Sequence, residues 1–379
     1  MSIIISSGLA VFFTILYSHI QHTLNKTKHL KISYSNWDTN RHKNRCYVKG
    51  EVQLYNTSKK NIFVMNLDLV PALITDPKKI IDVKITATIN TEKQDSLRNW
   101  VAIMIEPNQK LTLTVQLSAA TNNNTSHNSF HISGKCQIYG WFGYHYQALS
   151  WMVTEGKLKP PSAIANLDKS LKYTIPIKTH ILGVTDDPVD TIDYYTKSIR
   201  QQDDAIILSE SALAIMQGKY ILFENIDVSR LAKILCQLFG NSSSFSSAAG
   251  IQALINNTHP VRVVFAAIVG AALKLLNIRG GFYIIAGKKS SAIDDVTGTL
   301  PPYDKSIVLG PINANSFSKE VEKRLNCQCA VVDCNDLGNV NIIGKSGNID
   351  KKYIKNMLTL NPAGNSDEKT PIVIIKSKY

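Results

Sequence analysis

The chain has 379 residues, a formal net charge of +13 and a pI near 9.3. With 44% apolar and 19% charged residues, the composition excludes a wholly disordered chain and predicts about two or three globular domains. The positive charge predicts an acidic partner, either anionic lipid or a phosphorylated small molecule. Nucleic acid is not expected, because no nucleic-acid-binding motif accompanies the charge. The six cysteines are scattered without an obvious disulfide framework, which favours a reducing compartment.

Residues 1–24 form an apolar segment without any Asp, Glu, Lys or Arg. The run over residues 3–17 lies within a charge-free window near the minimum length for a spanning helix. Lysines at 26, 28 and 31 follow it, and such lysines favour the cytoplasmic side. We therefore predict a single-pass membrane anchor over residues 1–24, with the body of the protein on the cytoplasmic (or stromal) side. A cleaved signal peptide is the alternative, but no basic residue precedes the run and no clean small-x-small cleavage site is found.

Residues 25–155 alternate apolar and polar side chains over strand-length runs, as in CYVKGEVQLY and KLTLTVQL. Turn-forming clusters separate these runs, which is typical of an antiparallel β-sandwich. No metal-ligand spacing or Gly-rich phosphate loop occurs in this part, so we predict a spacer or docking domain. Basic residues here would either contact anionic headgroups or form an ordinary solvated face: Arg41, Lys43, Arg45 and Lys49.

A linker is predicted over residues 156–170, and residues 171–379 then show the pattern of a mixed α/β (α+β) domain. YTIPIKTHIL and AIILS predict strands, and DDPVDTIDYYTKSIR predicts an amphipathic helix with an acidic N-cap. The apolar run PVRVVFAAIVGAALKLLNI is interrupted by Arg262 and Lys274, so its uncharged part is too short to cross a bilayer. It predicts a buried core helix, with contact at a membrane surface left open.

Residues 282–311 hold the central cluster of candidate ligand-binding groups. The apolar run 282–286, predicted as a strand, leads into Lys288 and Lys289 and then into the adjacent acids Asp294 and Asp295. Carboxylate oxygens suit a hard divalent cation, and lysine suits a phosphate. The alternative is a solvated surface loop between two core strands.

Other polar groups also follow predicted strands. Ser209, Glu210 and Ser211 form a small polar cluster at the end of AIILS, and the carboxyl end of a strand is where α/β folds place ligands. The triplet Gln217-Gly218-Lys219 combines a permissive glycine with a cation, with a helix-capping turn as the alternative. Acids also occur at two further loops: Asp333, Asp336, Asp367 and Glu368. These acids would either converge with Asp294 on one metal site or be solvated surface residues.

Residues 173–376 resemble the coenzyme F-420:gamma-glutamyl ligase family. The resemblance rests on IPIKTHIL, DDAIILSESALAIMQGKY, AIDDV and AVVDCNDLG. The domain layout is similar to that of a membrane-anchored subgroup of ligase-like proteins from oxygenic phototrophs. The segments that carry this similarity are IDDVTGTLPPYD and NPAGNSDE. The resemblance implies a ligase-like fold that uses GTP as co-substrate and Mn²⁺ or Mg²⁺ as metal. It also implies that L-glutamate is joined to a carboxylate acceptor, which is first activated as an acyl phosphate.

The resemblance also implies roles for individual residues. Asp294 and Asp336 would be metal ligands, and Asp295 joins them by adjacency. The chain departs from the family at Ala292, which replaces a glycine, and after Asp336, where no arginine follows. That arginine would be either lost or replaced by Lys288, Lys289 or Arg279. The residues expected to contact the nucleotide are Ser209, Gln217, Gly218, Lys219, Lys288 and Lys289.

Two hypotheses from different classes follow. The first is a membrane-anchored, GTP- and metal-dependent ligase-like protein. Its partners would be a nucleotide and an acidic small molecule, and a homodimer is compatible with this function. The second is a non-catalytic, membrane-anchored binding or scaffold protein that keeps the ligase fold.

Overall fold

The computed structural model describes residues 2–24, 29–74, 81–89, 92–94, 102–120, 128–140, 143–161, 173–239, 245–276, 280–287, 300–334, 338–347, 349–364 and 368–377. Its amino-terminal part contains a helix followed by strands: α1 (Ser2–Leu24), β1 (Leu30–His42), β2 (Arg45–Asn56), β3 (Ile62–Leu73), β4 (Ile81–Ile89), β5 (Glu92–Gln94), β6 (Ile103–Ile105), β7 (Lys110–Ala120), β8 (Ser129–Gly140) and β9 (Gly143–Thr154).

These strands form two antiparallel sheets with the orders β1-β2-β7-β4-β5 and β6-β3-β8-β9. Alternate side chains point inward, so that Val48 and Val52 of β2 share one buried core with Ile132 of β8. Trp151 of β9 is fully buried in the same core. The β-sandwich predicted from the alternating pattern is therefore confirmed.

The buried His131 of β8 gives the sandwich a predictable response to acid. Its Nε2 lies 2.9 Å from the Ser150 hydroxyl oxygen, and burial lowers the pKa of the imidazole to about 4 from the ordinary 6.5. Between these values the unfolded chain binds a proton that the folded chain excludes. We therefore expect this residue's contribution to lower the free energy of unfolding by about 1.4 kcal/mol per pH unit between pH 6.5 and 4.

Urea unfolding at several pH values would test this expectation. His131→Gln should show a shallower loss of stability below pH 6.5 than the wild type, while the exposed-histidine control His42→Gln keeps the wild-type slope. Equal slopes for His131→Gln and the wild type would contradict the assignment.

The carboxyl-terminal part alternates strands and helices: β10 (Thr174–Ile177), α2 (Pro188–Thr196), β11 (Ala205–Ser209), α3 (Glu210–Met216), β12 (Tyr220–Leu222), α4 (Arg230–Leu235), α5 (Ala248–Asn257), α6 (Pro260–Leu275), α7 (Gly281–Ala286), β13 (Ser306–Val308), α8 (Ala314–Leu325), β14 (Gln328–Cys334), β15 (Val340–Lys345), α9 (Lys351–Leu358) and β16 (Ile372–Ile375).

A mixed sheet with the order β10-β16-β11-β14-β15 organises this part. Strands β11 and β14 run parallel, whereas β16 lies antiparallel to β11. Ile206 and Leu208 pack with α2, α3 and α8 on one face, while Ile207 packs with α9 on the other. Burial on both faces explains why AIILS is a continuous apolar run.

The predicted α2 is confirmed together with its cap. The Asp187 side chain accepts hydrogen bonds from the backbone N–H groups of Val189 and Asp190, and Pro188 occupies the first turn. The α/β (α+β) class expected for residues 171–379 is likewise confirmed at the level of its sheet and flanking helices.

A separate helical layer formed by α4 to α7 packs around Phe245 and Phe282. One expectation is wrong here, and a second holds only in part. Residues 282–286 belong to helix α7 rather than to a strand, because the run is too short for its period to distinguish the two. Helix α6 is not wholly buried: Val263 and Ala266 face the core, while Phe265 and Ile268 are exposed.

The predicted single-pass membrane anchor over residues 1–24 is also wrong. The segment does form helix α1, but among the described residues no helix has both the length and the apolarity needed to cross a membrane. The apolar run ends before Ser18, His19, Gln21 and His22, whereas a span needs about 20 predominantly apolar residues. Ser18 is buried, and His19 Nδ1 lies 3.2 Å from His259 Nε2, so this end of α1 packs on the protein.

Candidate functional site

A cavity of about 150 Å³ opens at the carboxyl end of β11, and we call it the edge cavity. Its walls come from the segment after β10, the start of α3, residues 300–303 and the loop before β16. The lining residues that have polar side chains are Thr179, His180, Ser209, Ser211, Tyr303, Lys369 and Thr370.

Strand pairing places these segments together. Because β16 is antiparallel to β11, the loop that precedes β16 lies beside the last residue of β11. The Ser209 backbone N–H donates to the Pro371 carbonyl oxygen at 2.9 Å. The Thr179 backbone N–H donates to the Lys369 carbonyl oxygen at 2.9 Å, which joins the segment after β10 to the same loop.

The polar groups of the edge cavity fall into two sets. Thr179 and Thr370 hydroxyls donate to backbone carbonyls, those of His180 and Ala363, and so support the walls. Ser209 precedes α3, but its hydroxyl makes no capping hydrogen bond. Within the described residues, Lys369 forms no ion pair, so its ammonium can neutralise an acidic ligand.

His180 has a supporting role. Its Nε2 lies 3.0 Å from an Asp186 oxygen, and its Nδ1 lies 2.7 Å from the Tyr195 oxygen. The second Asp186 oxygen accepts the Gly183 backbone N–H at 2.9 Å. Both imidazole nitrogens are therefore occupied, and His180 holds the wall rather than acting as an open base.

The phenols around the edge cavity stay protonated at neutral pH. Burial raises the pKa of Tyr303 well above its ordinary value, and its hydroxyl donates to the Leu182 carbonyl oxygen at 2.7 Å. Burial also raises the pKa of Tyr195. These side chains can donate hydrogen bonds, but they do not supply negative charge.

The structure separates the predicted nucleotide-contacting residues. Ser209 lines the edge cavity, but Gln217, Gly218 and Lys219 lie at the opposite end of α3. Seven helical residues span about 10 Å. The Gln217 side chain donates to the Ile312 carbonyl oxygen at 3.0 Å and accepts the Ile312 N–H at 2.7 Å.

Gly218 and Lys219 have local roles of the same kind. Gly218 has a φ of +66°, and the Lys219 N–H donates to the Ala214 carbonyl oxygen at 2.7 Å. This is a helix-ending turn with a left-handed glycine. The proposed contact of these residues with a nucleotide remains a prediction.

The remaining predicted site residues lie outside the described residues: Lys288, Lys289, Asp294, Asp295 and Asp336. Leu300, the first described residue after 288–299, lines the edge cavity. Strand β14, which leads to Asp336, runs parallel to β11, with Val332 paired to Ser209. Within the described part of the chain, no group of three or more His, Cys, Asp or Glu residues is arranged to hold a metal.

Sequence reasoning pointed to Ser211 through the polar cluster after β11, but it missed Lys369, Thr370 and Thr179 as lining residues. The loop before β16 was singled out for its acids Asp367 and Glu368. Asp367 lies outside the described residues, and the Glu368 side chain packs over Gly364. Ligand sites are expected at the carboxyl ends of strands, and this loop precedes its strand, so sequence reasoning had no signal for Lys369 and Thr370.

Comparison with known proteins yields no matching family model and no matching curated protein. Among solved structures, the GAE domain of GGA2p from Saccharomyces cerevisiae is 15% identical with a TM-score of 0.22, covering 34% of this chain and 94% of that one. A β-sandwich protein from Clostridium difficile 630 is 13% identical with a TM-score of 0.21, covering 30% and 85%. Likenesses at these TM-scores carry no argument about the function of this chain.

Proposed function

We propose that the edge cavity binds the phosphate or carboxylate of a small acidic ligand. We further propose that residues 171–379 form a GTP- and metal-dependent ligase-like domain that joins L-glutamate to a carboxylate acceptor. The observation that carries the proposal is the meeting of Ser209, Ser211 and Lys369 in one cavity at a strand's carboxyl end. Hydroxyl donors and an ammonium without an ion pair are suited to an anionic oxygen.

The size of the edge cavity limits what its described walls can hold. About 150 Å³ is smaller than the roughly 300–1,000 Å³ of pockets that enclose whole small-molecule ligands. The described walls therefore fit one acidic group rather than an entire nucleotide.

The proposed metal would be held by Asp294, Asp295 and Asp336, since carboxylate oxygens are the ligands that Mg²⁺ and Mn²⁺ favour. When bound, the metal would neutralise charge that develops on a transferred phosphate. The edge cavity would act alongside it. Lys369 would balance the ligand's charge, and Ser209 and Ser211 would orient its oxygens.

Thermal melting of the full chain with GTP or ATP, with and without Mn²⁺, tests this proposal. A ligand at one hundred times its dissociation constant stabilises the native state by about 2.7 kcal/mol, a shift on the order of 5 °C. We expect that shift with one nucleotide only when Mn²⁺ is present. Asp294→Asn should abolish it and leave the melting of the ligand-free protein nearly unchanged.

The matched control is Asp68→Asn, which removes an exposed acid of the sandwich and should retain the shift. A metal-dependent shift of wild-type size in Asp294→Asn would refute the metal assignment.

A non-catalytic binding or scaffold protein that keeps the ligase fold is the second candidate. It is favoured by the departures from the family at Ala292, which replaces a glycine, and after Asp336, where no arginine follows. Under this function a small acid would stabilise the chain equally with and without Mn²⁺.

A further inference from the structure

Helix α6 presents an apolar stripe to solvent. Phe265 is 59% exposed and Ile268 is 64% exposed. Outward-facing positions recur every three or four residues, which places them on one side of the helix: Val261, Phe265, Ile268, Ala272 and Leu275. The opposite side of α6 is buried in the helical layer, so the stripe is the uncovered face of an ordered helix.

Helix α1 extends this apolar surface. Its carboxyl-terminal half packs against α6 through His19 and His259. Residues 8–13 of α1 are all exposed, including Phe12 and the 60% exposed Phe13. Six consecutive residues point in every direction around a helix, so residues 8–13 of α1 are apolar and exposed on every side. We call residues 8–17 of α1 together with the stripe of α6 the α1/α6 surface.

The charged residues of the helices that form or adjoin the α1/α6 surface carry one sign of charge. The chain contains no Asp or Glu from Val228 to Ile293, and α1 contains none either. Exposed cations border the apolar residues on α4 and α6: Arg230, Lys233, Arg262 and Lys274. A second copy of this chain would bring these cations together, which is unfavourable.

We infer that the α1/α6 surface lies in the interfacial region of an anionic lipid bilayer. The aromatic and aliphatic side chains would enter the boundary between headgroups and acyl chains, and the bordering Lys and Arg would contact anionic headgroups. This arrangement requires no helix to cross the membrane. A lipid surface also fits the all-round exposure of α1 better than a protein groove, which would cover one side only.

Vesicle flotation of the full chain tests this inference. We expect the protein to float with phosphatidylcholine vesicles that contain phosphatidylserine, more weakly with phosphatidylcholine alone, and less at high salt. The double variant Phe265→Ser/Ile268→Ser should bind the anionic vesicles about tenfold or more weakly. Lys233→Glu/Lys274→Glu should lose the preference for anionic vesicles.

The matched control is Val70→Ser/Tyr139→Ser, which removes exposed apolar side chains of the sandwich and should float like the wild type. Far-ultraviolet circular dichroism checks that each variant is folded. If the Phe265/Ile268 variant does not fold, the Lys233/Lys274 variant decides the outcome. The inference is refuted by wild-type protein that does not float. It is equally refuted if both the Phe265/Ile268 variant and the Lys233/Lys274 variant float normally. A concentration-dependent dimer that the Phe265/Ile268 variant abolishes, without lipid binding, would also refute it.

Discussion

Replacing Lys376 with Met is expected to destabilise the carboxyl-terminal sheet by about 3–5 kcal/mol, because it leaves a buried carboxylate without its cation. Lys376 Nζ donates to Asp204 Oδ2 and to the Ile199 carbonyl oxygen, both at 2.7 Å. Asp204 is fully buried. Its Oδ2 also accepts the Gln201 backbone N–H at 2.8 Å. The pair ties β16 to the segment that enters β11, so its loss should loosen the sheet that carries the edge cavity.

Urea unfolding followed by far-ultraviolet circular dichroism would measure this effect. The control Asp193→Asn removes a 42% exposed carboxylate that pairs with Arg200, and it should cost about 1 kcal/mol or less. The double variant Asp204→Asn/Lys376→Met should recover part of the loss, because no unpaired charge remains. A Lys376→Met variant within about 1 kcal/mol of the wild type would show that the buried pair is not needed.

Replacing Trp151 with Ala is expected to destabilise the β-sandwich by about 3–5 kcal/mol. The indole is fully buried, and its ring centroid lies 5.2 Å from that of Tyr34 and 5.6 Å from that of Trp37. Truncation leaves a cavity between the two sheets that these rings cannot close without leaving their own contacts. The loss should appear in the unfolding transition of the sandwich.

Trp151→Phe is the matched control. The indole N–H has no hydrogen-bond partner among the described residues, so Phe removes an unsatisfied donor while it keeps most of the buried ring. We expect Phe to cost clearly less than Ala. Equal losses for both variants would mean that the buried volume is not what stabilises this site.

The sequence predicts elements well where one pattern has one structural meaning. The alternation in residues 46–54 predicted β2, because only a strand with one buried face requires it. Asp187 followed by Pro188 predicted the start of α2, since both residues favour a first helical turn. These features depend on neighbours in sequence alone.

The errors arise where tertiary packing decides. The short apolar run 282–286 has no period, and contact of Phe282 with Phe239 and Phe245 accompanies its helical form. Helix α6 is apolar on every side, which predicts burial, yet neighbouring helices cover one face and leave Phe265 exposed. The apolar run that begins α1 similarly resembled a membrane span, but the polar second half of this helix packs on α6.

The candidate site was half predictable. Ser209 was expected because it ends a strand buried on both faces, a position visible in the sequence. Lys369 was missed because only the antiparallel pairing of β16 with β11 brings it to the same edge. Nothing local in the sequence indicates which strands become neighbours. The assignments of Asp294, Asp295 and Asp336 rest on the family resemblance and remain predictions.

The most direct measurement is a calorimetric titration of the full chain with GTP and Mn²⁺, repeated with Lys369→Met and with the sandwich control Lys49→Met. If Lys369 contacts an acidic group of the ligand, its loss should weaken binding about tenfold or more, since a hydrogen bond to a charged group contributes about 1.5–3 kcal/mol. Lys49→Met should bind like the wild type. Absence of binding in the wild type, or equal affinity in Lys369→Met, would contradict the placement of the ligand in the edge cavity.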